Sequence, residues 1–224
     1  MRNSLLTILF LIICAGFVQE AFAQESSAVR IARLKYDGGG DWYNDPLEEP
    51  TLLQFVGRHT NIAVDPNYYY VDIMSDDVFS YPLLFITGHG NIRFTDEQAK
   101  RLRRYLDDGG FIYADDDYGM DEAFRREMRK VFPEEKLVQL PYSYGLYSCV
   151  FDFSNGPPKI QDWDDRKPPA AFGIFIGKRL AVYYTTECNP SDGWDPAEVH
   201  GDPENKRREA MEFGTNIVYW ALTH

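Results

Sequence analysis

One stretch constrains the fold more than any other. From Leu83 to Thr87 the chain is almost wholly apolar (Leu-Leu-Phe-Ile-Thr). A strand without polar alternation has to be buried on both faces, as in the interior of a parallel sheet. Thr95-Asp96-Glu97-Gln98 follows. It is a capping box, with a Thr N-cap and Gln at the third helical position. The helix it opens runs to about Leu106, with Leu102, Tyr105 and Leu106 facing inward, and Gly109-Gly110 stops it. Phe111 to Ala114 then starts the next strand. A strand, a capped helix and a second apolar strand in this spacing make a βαβ unit.

The rest of the chain repeats that rhythm. Val29–Tyr36 and Tyr68–Ile73 read as strands, with a helix between them over Pro50–His59. A helix capped by Asp121 ends at Phe132, before Pro133, and Lys136–Leu140 is a further short strand. Phe172–Ile176 and Leu180–Tyr184 read as a hairpin through Gly177-Lys178-Arg179. Pro203 starts a last helix with a broad apolar face. The expected architecture is α/β, three-layered and mainly parallel, flavodoxin-like in the order 2-1-3-4-5, with a C-terminal hairpin and helix.

The N-terminus differs in kind. Arg2 is followed by an apolar run to Val18 and then Ala21-Phe22-Ala23. This is the three-part form of a secretory signal peptide, and the apolar run of about 15 residues is short of a membrane span. Residues 1–23 are therefore expected to be removed, leaving Gln24–His224 as one exported domain, periplasmic or extracellular, with no later transmembrane segment. Cys149 and Cys188 remain in it. They could pair in an oxidising compartment, but are read as unpaired. The 23 Lys and Arg against 35 Asp and Glu give a net charge of −12, which disfavours nucleic acid as a partner.

In open α/β sheets, ligands bind beyond the carboxyl ends of the strands. Three turns fall there: Asp37-Gly38-Gly39-Gly40-Asp41-Trp42, Thr87-Gly88-His89-Gly90, and Asp115-Asp116-Asp117. His89 with Asp115 or Asp116 could act as a general base or hold a divalent metal. The structural alternatives are that the aspartates cap helices and that His89 holds a turn. Asp117 is expected to face solvent. Asp37, Asp41 and Trp42 suit a polar ligand, although core is the favoured reading for Trp42. The Gly-rich turn lacks a following Lys and is ringed by Asp, so a phosphate is not expected. The acidic loop around Asp192-Gly193-Trp194-Asp195 and His200 repeats the chemistry, which makes Trp194 and His200 further ligand-binding candidates. That loop is longer than packing needs, as binding loops often are. Calcium is one reading of it, but its spacing matches no EF-hand.

From Leu83 to Asp116 the pattern resembles the class I glutamine amidotransferase-like folds, and the rhythm of the trehalose-utilisation ThuA-like proteins is similar. The resemblance implies a nucleophilic Cys after Phe111–Ala114, and Asp115-Asp116-Asp117 stands there instead. Glutaminase activity is therefore not implied. Lys35 to Tyr43, Thr87-Gly88-His89-Gly90, Phe124-Arg125-Arg126-Glu127-Met128 and Asp192-Gly193-Trp194 together resemble a domain family of unknown function, number 4159, over Val29 to Leu222. That resemblance implies the amidotransferase-like fold and no particular activity.

Two functions follow from these residues. One is a binding module of the cell envelope, for a small polar ligand or an envelope protein. The other is a hydrolase of sugars or amides using His89 with Asp115 or Asp116, with or without a divalent metal. No cofactor is required by the sequence.

Overall fold

A computed structural model describes residues 28–161 and 167–224. The expected signal peptide, residues 1–23, lies outside the described residues.

The described residues form one seven-stranded sheet. Its strands are β1 (Ile31–Lys35), β2 (Tyr69–Asp72), β3 (Leu83–Ile86), β4 (Phe111–Asp115), β5 (Val138–Gln139), β6 (Ala170–Ile176) and β7 (Arg179–Thr186). The spatial order is β2-β1-β3-β4-β7-β6-β5. The five strands from β2 to β7 run parallel, and β6 and β5 pair antiparallel beyond them. The first four positions match the flavodoxin-like order. The fifth does not: β7 takes it, and β5 goes to the far edge. Burial explains the exchange. Seven of the eight β7 residues are buried, whereas both β5 residues are exposed. The strand with two apolar faces goes inside and the short polar one goes to the rim.

Helices cover both faces. Strand alternation sends Leu84 and Ile86 to one face and Leu83 and Phe85 to the other. The first face packs against α2 (Asp96–Asp107) and α3 (Asp121–Val131) through Leu102, Leu106, Phe124 and Met128. The second packs against α1 (Glu48–His59) and α5 (Glu204–Thr223) through Leu52, Leu53, Phe213 and Ile217. A single turn, α4 (Ala197–His200), precedes α5. The chain is thus a three-layer α/β fold.

The Thr95 capping box forms, with Thr95 Oγ1 accepting from Gln98 N and Gln98 Oε1 accepting from Thr95 N. The cap expected from Asp121 does not. Asp121 is the first helical residue, and Asp116 Oδ1 accepts from Met120 N at 2.8 Å in its place. Cys149 and Cys188 are both free.

Candidate functional site: an acidic cleft at the carboxyl ends of the strands

The site starts with a buried cation that periodicity does not reveal. Arg33 is in the middle of β1, on the α1 face, at 0% exposure. An unpaired guanidinium could not remain there. Two glutamates from the first turn of α1 supply its partners. Nε and Nη2 donate to Glu49 at 2.6 and 2.8 Å, and Nη2 donates to Glu48 at 2.6 Å. Burial acts to lower the Arg33 pKa, but Glu49 and Glu48 outweigh it and raise it. The remaining donor, Nη1, reaches the carbonyls of Trp42 and Asn44 at 3.2 and 2.9 Å. Arg33 therefore pins the loop that carries Asp41, Trp42, Tyr43, Asn44 and Asp45.

The His89 turn is stitched to that loop. Gly40 N donates to Asn91 O at 3.0 Å, and Arg93 N to Asp37 O at 2.6 Å. Gly88 has φ of +130°, and a Cβ there would lie 2.5 Å from the Tyr36 hydroxyl and 3.0 Å from Asp41 Oδ1. Only glycine permits so close an approach. As a result Asp41 accepts from the His89 backbone N–H at 2.5 Å and faces its Nδ1 at 3.1 Å. Burial acts to raise the Asp41 pKa, but the His89 amide, charge and ring outweigh it and lower it.

The other ring nitrogen meets a residue expected in solvent. His89 Nε2 lies 3.2 Å from Asp117 Oδ2, and Asp117 is 6% exposed. Asn44 and Asn189 donate to its two oxygens at 2.9 and 2.8 Å. The strand ends at Asp115, and the loop beyond it pairs with the His89 turn, Gly90 N donating to Tyr118 O at 3.2 Å. His89 therefore pairs with Asp41 and Asp117, not with Asp115 or Asp116. Asp115 is consumed by Thr185 Oγ1 at 2.6 Å and Ser191 N at 2.8 Å. Asp116 is consumed by Met120 N, Thr186 Oγ1 and Tyr184 OH. Both are structural anchors for neighbouring loops.

A second group of acids continues the cleft. His200 Nε2 lies 3.0 Å from Asp195 and 3.7 Å from Asp45, and its Nδ1 lies 3.9 Å from Asp192. Ligand atoms of Asp45, Asp192 and His200 lie within 4.8 Å of one another, as do those of Asp45, Glu48 and Asp195. Hard carboxylate oxygens with one imidazole suit a divalent cation. Burial pushes Asp192 up to about 9, helped by the charges of Asp117, Asp115 and Asp45. Burial likewise raises Asp195 to about 6, partly offset by His200. Asp45 and Asn189 hold left-handed backbone angles, φ +45° and +44°. Such strain in non-glycine residues gathers at functional sites.

Other sequence candidates fall elsewhere. Trp194 is 1% exposed, stacks near Phe85 and Tyr113, and donates Nε1 to Ala210 O at 3.0 Å. It belongs to the core, because the short turn that carries it packs under α5. Trp42 is half-buried and sits beside exposed Tyr43 and Tyr70. Asp37 is exposed and serves the loop through its backbone carbonyl. Arg33, Asp117 and Asn189 were not among the residues the sequence marked for the site. A charged residue inside an apolar strand pattern was the available signal for Arg33.

A mainly parallel three-layer sheet, with an acidic cleft built from the loops after β1, β3, β4 and β7, defines the class of protein. The chain belongs to the family described as Domain of unknown function (DUF4159), which matches residues 30–222 and so spans every loop of the cleft. No curated protein matches the chain.

Proposed function

We propose that this is an exported envelope protein whose acidic cleft binds a small polar ligand bearing positive charge. One observation carries the reading: six acidic side chains converge with one guanidinium and two imidazoles among them. Asp41, Asp45, Glu48, Asp117, Asp192 and Asp195 face Arg33, His89 and His200, and Arg33 is already saturated by Glu48 and Glu49. Burial and neighbouring acids hold a proton on Asp192, and a cationic ligand would favour the ionised form of the set. Binding is favoured over hydrolysis because both nitrogens of His89 face carboxylates, so neither is free to take a proton from substrate. The N-terminal signal pattern supports export.

Thermal shift with amines, amino sugars and divalent cations tests the reading. At about one hundred times Kd a ligand adds roughly 2.7 kcal/mol of stability. Asp117→Asn and Asp192→Asn should abolish that gain. If nothing stabilises the protein, or the variants respond as the parent does, the cleft is not the binding site.

A metal-assisted hydrolase of sugars or amides is the second reading, favoured by the convergence of Asp45, Asp192 and His200. Those three would be the ligands, with His89 and Asp117 beside them. Elemental analysis of the mature protein decides it: one bound divalent metal, lost in His200→Ala, supports it, and a metal-free protein removes it.

A further inference from the structure

Beside the cleft, along the free edge of the sheet, runs a row of aromatic rings of which Trp42 also packs against the core while Tyr70 and Tyr43 stand exposed. Tyr68 and Tyr70 have ring centroids 6.2 Å apart, Tyr70 and Trp42 5.6 Å, and Trp42 and Tyr43 5.6 Å. No other ring contact among the described residues closes the ends of this row. Tyr70 is 60% and Tyr43 63% exposed. Contiguous exposed aromatics of this kind mark an interaction surface. The same loop that carries Trp42 and Tyr43 also carries Asp41 and Asp45, and Asp72 ends β2, the strand of Tyr70. One cation intrudes, since Lys35 Nζ lies 6.0 Å over the Trp42 ring. That contact shows the face accepting an ammonium group.

Resting on the binding function proposed above, we infer that this row and its carboxylates form a binding strip for a chain of amino sugars. Exposed Tyr70 and Tyr43 offer ring surface to the C–H groups of successive sugar units, and the carboxylates take the ammonium groups. Neighbouring rings are inclined by 39°, 42° and 88°, and their contacts follow one another from Tyr68 to Tyr43. A lone alkylammonium head is held best by rings that box it in, whereas such a succession of rings suits an extended repeating chain. Charge complementarity excludes anionic polymers, and Arg33 fixes the strip by holding Trp42 O in place.

Calorimetric titration of the mature protein with a glucosamine hexamer, its fully N-acetylated counterpart and glucosamine itself tests the inference. The hexamer should bind at least about tenfold more tightly than either. Tyr70→Ala and Trp42→Ala should each weaken it by about tenfold. Lys35→Gln should strengthen it, because it removes a competing ammonium. Equal binding of the two hexamers, or no loss in Tyr70→Ala, overturns the inference, as does retention of the patch on envelope proteins with no affinity for the hexamer. If small amines still bind in an Asp117-dependent way while the hexamer gains nothing, the strip fails and the cleft stands. If neither binds, both fall.

Discussion

Replacing Arg33 by Met isolates the energetics that hold the cleft open. The side chains have similar length, so the apolar packing over Phe85 is largely kept, while the guanidinium 4.7 Å from that ring is lost. Three hydrogen bonds to Glu48 and Glu49 and two to backbone carbonyls go with it. Glu48 and Glu49 stay at 1% and 0% exposure, now unpaired. Leaving buried charge uncompensated costs about 3–5 kcal/mol, or roughly 6–20 °C in a domain of this size. The sign with pH follows from Glu48, whose pKa burial raises even with Arg33 present. Without Arg33 Glu48 takes up a proton more readily, so the deficit should shrink as pH falls from 8 to 5. Adding Glu48→Gln and Glu49→Gln should restore most of the loss, because a neutral set has no charge to strand. Urea unfolding followed by tryptophan fluorescence measures all three proteins. A deficit below 1 kcal/mol at pH 8, or one that grows toward pH 5, refutes the argument that stranded charge is the cause.

Other outcomes are as specific. Burial raises Asp115 to about 7, Asp195 to about 6 and Asp192 to about 9, against about 4 in the unfolded chain. Their contribution is whole below pH 4 and is lost as pH rises through 6 to 9, so the parent protein should melt several degrees lower at pH 8.5 than at pH 5.5. Asp41 and Glu127, whose pKa values are lowered, lose theirs only in more acid solution and do not reverse this window. A flat or rising melting temperature contradicts the burial assignment. Gly88→Ala forces a Cβ against Tyr36 and Asp41 and should cost about 1–3 kcal/mol, while shifting the His89 ring resonances. An unchanged His89 titration by NMR would show the turn is not held by Asp41. Burial raises Cys149 to about 11 and pushes Cys188 well above the usual thiol value. The mature protein should therefore react slowly with a thiol reagent when native and show two thiols in denaturant, whereas intact mass revealing a disulfide would contradict the free state of Cys149 and Cys188.

Much of the architecture was legible because its signals are local. The apolar run of β3 announced a strand buried on both faces, and Thr95 with Gln98 announced a helix start, since each depends on neighbours a few residues away. The placement of β7 was not legible in that way. Its position between β4 and β6 is a competition among strands for the centre, decided by seven buried residues against two exposed ones. The turns of the cleft were also legible, from the rule that strand ends gather ligands. Their division of labour was not. Asp115, Asp116 and Asp117 are three identical residues in a row, and only the pairing of the loop after β4 with the His89 turn separates two anchors from the partner of His89.

Thus the linear sequence determined the α/β class, the strand-and-helix rhythm, the negative charge and the loops where chemistry would gather. Tertiary structure alone decided which acids meet. Periodicity reports which face a residue takes relative to its own strand. It carries no information on which distant loop lies across from that face, and electrostatics depends on that distance. Arg33, 0% exposed among apolar residues, shows the difference: the strand pattern of Val29–Tyr36 does not single it out, and its two glutamates on α1 make it the post that holds the cleft loop in place.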